Sequence, residues 1–209
     1  MSQKVVILDA GHGGVNPLTG KYVTKGKRSP IWPDGSVYYE GVGNREIVKF
    51  AAKFFKELCG QPVKVLYTVD PDNYQDVALS TRVRIANDHY RKHRNAFLVS
   101  VHSNGYKLPS AHGTEVFTSP GLTRSDAIAT TWMQEIGKYF PGLRKRTDFD
   151  DGDIDKEAKF TIINDTACPA ILIESMFHTN PEECKMLMNP LNQAKIARAI
   201  VRTVLKTNL

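Results

Sequence analysis

The stretch that decides the fold is Ala96-Phe-Leu-Val-Ser-Val-His-Ser-Asn104. Its first six residues form a short apolar run rich in β-branched side chains, which is typical of a buried strand. A histidine, His102, follows this run directly. In open α/β sheets, ligands bind just beyond the carboxyl ends of the strands. The pattern therefore predicts that His102 lies where a functional site is expected, although a hydrogen-bonded structural histidine fits the same position.

Two other stretches repeat this design. The run Val5–Ala10 leads into the glycine-rich turn Gly-His-Gly-Gly that contains His12, and the apolar run 170–174 ends on the carboxylate of Glu174. If the three strands are neighbours in one parallel sheet, their functional side chains meet at one edge. Two histidines with acidic residues at one edge predict a zinc site that keeps an open coordination position.

Length and charge limit the possible classes of protein. The chain has 209 residues and a net charge of +6, and we expect one domain, residues 1–209, with a sizeable core. A basic balance favours a polyanionic partner, such as nucleic acid, an anionic membrane or an acidic cell-wall polymer, without choosing among them. The basic residues are scattered and form no recognisable nucleic-acid-binding motif. The apolar runs are too short for insertion across a membrane.

The N-terminus and the cysteines indicate where the chain is made. Met-Ser-Gln-Lys leads directly into a strand and lacks the apolar segment and cleavage site of a signal peptide, so we expect synthesis in the cytoplasm. Cys59, Cys168 and Cys184 have no paired spacing. They fit a reducing compartment and are expected to be small buried hydrophobic residues.

Strands and helices alternate along the chain. We expect a helix after Glu40 that ends near Gly60 and a second helix that Asp76 caps. The basic residues of the second helix, including Arg82, are expected to form a mostly solvated face. The other expected elements are strands at 63–67, 113–118 and 160–163 and helices at 125–139, from Pro181, and at 191–205. This alternation predicts an α/β three-layer sandwich, with a mostly parallel twisted sheet between two layers of helices.

Three features leave alternatives open. The long segment 15–39 carries aromatic side chains that either line a groove or pack as a surface hairpin. His89 and His93 are four apart on a helix, a spacing that can bind metal, but a structural role is favoured because no acidic partner supports them. The acidic segment 148–157 lacks the final glutamate of a calcium loop, since Lys159 occupies that position, and it is expected to be a mobile surface loop.

Five motifs together carry a family resemblance. They are residues 8–14 (Leu-Asp-Ala-Gly-His-Gly-Gly), 80–87, 99–104, 113–117 and 171–177. In this order and spacing the chain resembles, nearly end to end, the zinc-dependent N-acetylmuramoyl-L-alanine amidases of the Amidase_3 type, found in bacterial autolysins and phage endolysins. The long insertion before Glu40 and the acidic loop depart from the family pattern.

The resemblance implies a set of metal ligands. In the family, a glutamate between the two histidines completes the site and is followed four residues later by asparagine. Glu40 with Asn44 matches this pattern, so one Zn²⁺ ion would be bound by His12, Glu40 and His102. Glu46, one turn further into the helix, is the alternative to Glu40.

The resemblance also implies the reaction. Glu174 would be the catalytic acid–base, and Asn104 and Glu115 would bind substrate. The enzyme would cleave the amide between N-acetylmuramic acid and L-alanine in peptidoglycan, acting on the cell wall after release or export. A zinc peptidase that cuts within the stem peptide, and a catalytically silent wall-binding module, are the alternatives.

Overall fold

The computed structural model describes residues 3–57, 63–150 and 152–207. Over these residues the chain forms six strands and six helices. In chain order they are β1 (Val5–Ala10), α1 (Glu40–Glu57), β2 (Lys64–Tyr67), α2 (Leu79–Lys92), β3 (Ala96–Asn104), β4 (Glu115–Thr118), α3 (Arg124–Tyr139), β5 (Lys156–Glu157), α4 (Thr161–Asn164), β6 (Ala170–Phe177), α5 (Pro181–Met188) and α6 (Pro190–Lys206).

The strands form one mixed sheet in the order β2-β1-β3-β6-β4-β5. The strands β1, β3 and β6 are neighbours and run parallel, as predicted, with β2 parallel to β1 at one side. At the other side β4 runs antiparallel to β6 and pairs in parallel with β5. This register places His102 opposite Glu174 and Glu115 opposite Glu174, so these three positions share one row across the sheet.

Helices cover both faces of the sheet, which confirms the predicted three-layer α/β class. Val6 and Leu8 of β1 pack into a large core with α1, α3, α5 and α6. The alternate residues Val5 and Ile7 pack into a smaller core on the opposite face, with α2 and α4. Because both faces are buried, each central strand begins with at least four consecutive apolar residues instead of an alternation of apolar and polar ones, and the polar residues come later in the strand.

Several predicted boundaries differ from the structure. The strands β3 and β6 continue past His102 and Glu174, so both side chains lie within strands. The predicted strand 160–163 is wrong, because this segment contains helix α4; a short apolar run does not distinguish a strand from a buried helix by periodicity. The residue preceding α2 is Ala78, not Asp76, and makes no side-chain cap. The predicted end of α1 near Gly60 lies outside the described residues.

The aromatic side chains of segment 15–39 pack partly against the body of the protein and partly against each other. Tyr38 is buried, Tyr39 stacks on Tyr22, and the indole N–H of Trp32 donates to Sγ of Cys184 at 3.2 Å. Cys168 and Cys184 are buried free thiols, as expected, and Cys59 lies outside the described residues. No helix within the described ranges combines the length and apolar character needed to cross a membrane.

Candidate active site

The candidate site lies at the edge of the sheet where the central parallel strands end. His102 and Glu174 face each other across β3 and β6, His12 lies in the turn after β1, and Glu40 is the first residue of α1. These four side chains line a cavity of about 810 Å³. The structure thus brings together the four residues predicted as metal ligands and catalytic acid–base.

His12, Glu40 and His102 form a compact group in which one ligand atom of each lies within 4.8 Å of the others. Glu40 Oε1 lies 3.3 Å from His12 Nε2 and 3.0 Å from His102 Nδ1, and the two imidazole rings are perpendicular. Burial opposes ionisation of Glu40, but hydrogen bonds from the two histidines outweigh it and hold the pKa of the carboxyl well below its usual range. Burial likewise opposes charge on His102, yet Glu40 raises its pKa.

The backbone at His12 is held in an unusual conformation. His12 has φ of 65°, the left-handed region, and is the one non-glycine residue with positive φ among those described. Its carbonyl oxygen accepts hydrogen bonds from Arg45 Nη1 at 2.8 Å and Arg82 Nη2 at 2.9 Å. Such a conformation costs free energy and persists where its surroundings hold it. The two arginines thus keep the imidazole directed at the site.

Glycine is required where neighbouring elements approach this turn. A Cβ atom on Gly11 would lie 2.2 Å from the His102 ring, and one on Gly41 would lie 1.9 Å from the carbonyl oxygen of Gly13. The start of α1 therefore packs directly on the His12 turn, which positions Glu40. Asn44, one turn further on, donates from Nδ2 to the carbonyl oxygen of Gly11 at 3.2 Å.

Arg82 is buried, so its predicted place on a solvated face is wrong. Its Nη1 donates to Asp9 Oδ1 at 2.8 Å, and both side chains are 2% exposed. Asp9 also accepts from the hydroxyls of Ser100 and Thr68. The guanidinium is tolerated in the interior because this carboxylate and several carbonyl oxygens take its donors.

Glu46 does not join the group. It forms an ion pair with Lys49 at 3.2 Å, and its side chain is 45% exposed. Of the two glutamates considered from the sequence, Glu40 is the one whose carboxylate meets both histidines.

Glu174 differs from Glu40 in its surroundings. Its Oε2 atom is buried and has no hydrogen-bond partner among the described residues. Burial raises the pKa of Glu174 to about 8, opposed by His102 and reinforced by Glu40 and Glu115. A carboxyl with this pKa can exchange a proton near neutral pH.

The two predicted substrate-binding residues lie in different settings. Asn104 lines the cavity, and its side-chain oxygen accepts from the backbone N–H of Gly105 at 2.8 Å. Glu115 is buried beside Glu174, where its carboxylate is already engaged by Arg146 and Lys156. Binding of substrate by either residue stays a prediction.

The sequence interpretation did not single out His178. It is buried, lines the cavity, and its Nδ1 lies 3.2 Å from Ser103 Oγ. The sequence feature that could have indicated a role in the site is its position just after β6, at the end of a central strand. His89, by contrast, lies outside the site with its Nε2 3.1 Å from the carbonyl oxygen of Tyr67, which agrees with the structural role expected for it.

Two imidazoles and two carboxylates converging on a cavity suit a metal-assisted hydrolase. The chain matches the Amidase_3 family, described as N-acetylmuramoyl-L-alanine amidase, over residues 6–206. The protein therefore belongs to the Amidase_3 family of N-acetylmuramoyl-L-alanine amidases, whose substrate is peptidoglycan.

Individual relatives are distant but align over most of the chain. N-acetylmuramoyl-L-alanine amidase AmiA of Escherichia coli K12 is 24% identical over 97% of this chain and 75% of its own length. An endolysin of Bacillus phage SPP1 is 25% identical over 88% of this chain and 58% of its own length.

Solved amidase structures share the fold. The N-acetylmuramoyl-L-alanine amidase of Clostridium difficile 630 superposes with a TM-score of 0.73 at 25% identity, covering 98% of this chain and 96% of that one. For the amidase Ami1 of Mycobacterium smegmatis the TM-score is 0.75 at 23% identity, covering 97% and 95%.

Proposed function

We propose that the protein is a zinc-dependent N-acetylmuramoyl-L-alanine amidase whose catalytic domain spans residues 1–209. It hydrolyses the amide between the lactyl group of N-acetylmuramic acid and the L-alanine of the stem peptide. The observation that carries the proposal is the convergence of both imidazoles on one carboxylate oxygen of Glu40, in a cavity also lined by Glu174, whose Oε2 has no hydrogen-bond partner among the described residues, in a chain of this family.

His12, Glu40 and His102 would hold the metal. Two imidazole nitrogens and one carboxylate oxygen are ligands that catalytic zinc sites use, with a further position left for water or substrate. When bound, zinc supplies a Lewis acid that lowers the pKa of water and polarises the amide carbonyl. Glu40 is oriented by the backbone N–H of Ser103, which donates to its Oε1 at 3.3 Å. Such outer contacts fix the geometry of a ligand.

Glu174 would move the proton. Its unpaired Oε2 lies in the same row of the sheet as His102, and it takes a proton from the attacking water. It then passes this proton to the nitrogen of the departing L-alanine, which leaves as a free amine while the lactyl group becomes a carboxylic acid. Its raised pKa supports this role, because the group must both accept and release a proton.

The cavity suits a large anionic substrate. Lys27, Lys107 and Lys159 line it together with Asn104. Positive side chains attract the carboxylates that stem peptides carry. We propose peptidoglycan as the partner, with no nucleic acid, and action at the cell wall after release or export.

Digestion of purified peptidoglycan followed by mass analysis tests this function. An amidase releases intact stem peptides with a free L-alanine amine and leaves lactyl carboxylic acids on the glycan. A peptidase that cuts within the stem leaves L-alanine attached to the glycan, and a silent binding module releases nothing while it sediments with the walls. His102→Ala, measured in parallel, should lose zinc and activity together.

A further inference from the structure

Three aspartates from separate parts of the chain meet on the β4–β5 side of the sheet. Asp126 lies in the first turn of α3, and Asp153 and Asp155 lie in the segment before β5. One carboxylate oxygen of each lies within 4.8 Å of the other two. We propose that this aspartate cluster (Asp126, Asp153 and Asp155) is a calcium-binding site, separate from the histidine site.

Asp155 has an acceptor atom without a partner. Its side chain is 2% exposed, and Oδ2 accepts a hydrogen bond from Thr118 Oγ1 at 2.6 Å. Its other oxygen, Oδ1, is buried without a hydrogen-bond partner among the described residues. Because a buried carboxylate oxygen without a partner is costly, it calls for a ligand. A cation held by the neighbouring carboxylates would be the missing partner of this oxygen.

Asp126 is already fixed in position for such a role. Its Oδ2 and Oδ1 accept from the backbone N–H and hydroxyl of Thr123 at 2.7 and 2.8 Å. The bond from the backbone N–H is one half of the capping box of α3, and in the other half the Thr123 side chain accepts from the helix backbone. Each carboxylate oxygen retains a second lone pair that can ligate a cation. Asp126 is 8% exposed, so the cluster is anchored to the end of a helix.

The charges in the cluster favour a divalent cation. Burial raises the pKa of Asp155 to about 7, and the carboxylates of Asp153 and Asp126 contribute to this shift although Thr118 opposes it. A cation bound here would compete with the proton on Asp155 at neutral pH and would neutralise the like charges that help to raise its pKa. All three donors are carboxylate oxygens, which calcium prefers, and calcium tolerates the irregular geometry of a loop better than magnesium does.

The cluster is connected to one wall of the cavity. Asp155 precedes β5, whose Lys156 forms an ion pair with Glu115 at 2.9 Å. Lys159 and Phe160, which follow β5, line the cavity. Calcium bound at the cluster would therefore hold the segment 153–160 against β4 and stabilise this wall.

Two measurements on the zinc-loaded full chain test the proposal: calorimetric titration and thermal melting. Each is made with CaCl2 and, in parallel, with MgCl2. Loading with zinc keeps the histidine site occupied. We expect one calcium ion to bind and the melting temperature to rise by about 5–10 °C at a hundredfold excess over Kd. Asp150→Asn, at an exposed position of the same loop, is the matched control and should behave as wild type.

Asp155→Asn and Asp153→Asn should each lose the calcium heat and the thermal shift. Asp153 is less buried than Asp155, so its variant provides the test if Asp155→Asn does not fold. The proposal is overturned by the absence of both signals up to about 10 mM calcium, which exceeds the weakest extracellular calcium sites. It is equally overturned if both variants respond as wild type does, or if magnesium gives an equal response.

Discussion

Replacement of Arg82 by methionine should be one of the most destabilising single changes in α2. The guanidinium makes four hydrogen bonds of 2.9 Å or less, to Asp9 Oδ1 and to the carbonyl oxygens of Ala10, His12 and Val77. Methionine retains the apolar stem but leaves the buried carboxylate of Asp9 without its cation. Breaking a buried pair from one side costs about 3–5 kcal/mol. At about 2–4 °C per kcal/mol for a chain of this size, the melting temperature should fall by about 6–20 °C.

The assay is thermal melting and urea unfolding, each with the metal removed by chelation and with zinc added. Arg84→Met is the matched control on the same helix, because the Arg84 side chain is 67% exposed and forms an ion pair with Asp88 at 3.4 Å. Its cost should stay below about 1 kcal/mol. The double variant Asp9→Asn with Arg82→Met should cost less than the sum of the two single changes, since no buried charge is left alone.

A second effect of Arg82→Met concerns the site itself. The carbonyl oxygen of His12 would lose one of its two arginine donors, while Arg45 remains. We expect zinc affinity to fall by about 10- to 100-fold, as for other supporting contacts of a metal ligand. This account of the turn would be refuted if the Arg82→Met protein had the same melting temperature as Arg84→Met and bound zinc with wild-type affinity.

Three further changes test other parts of the site. Glu174→Gln should fold and bind zinc normally but lose about 10²- to 10⁴-fold in turnover of peptidoglycan; a stable, zinc-loaded and fully active variant would exclude the acid–base role. Glu40→Ala should lose stoichiometric zinc, measured by metal analysis, while Glu46→Ala retains it, and the reverse result would make Glu46 the ligand instead of Glu40. Asp9 has a pKa below its ordinary value of 3.8, because Arg82 and hydroxyl donors outweigh burial. Its contribution to stability is therefore complete above that value and is lost as pH falls through the folded pKa. When unfolding is measured from pH 5 to pH 2, the free energy of unfolding should fall less in Asp9→Asn than in wild type.

The sequence by itself determined the central part of the fold. The apolar runs at 5–8, 96–99 and 170–173 are continuous and can be buried on both faces only in the middle of a covered sheet, and the structure has them in adjacent parallel strands. The carboxyl ends of neighbouring parallel strands share an edge, so the local pattern predicted that His12, His102 and Glu174 meet if the three strands are neighbours. The strand order of the folded chain meets this condition.

The tertiary structure decided which charged groups become partners. Helical periodicity assigned Arg82 to the solvated face with the other basic residues of α2, since a local pattern does not show that Asp9 lies beneath it in the folded chain. Likewise Asp126 is far in sequence from Asp153 and Asp155, and only the packing of α3 beside β4 brings the three together. A buried charge is stable where an opposite charge or a donor meets it. Contacts between charged groups that are distant in sequence depend on the topology of the fold, whereas the burial of an apolar run follows from its own residues.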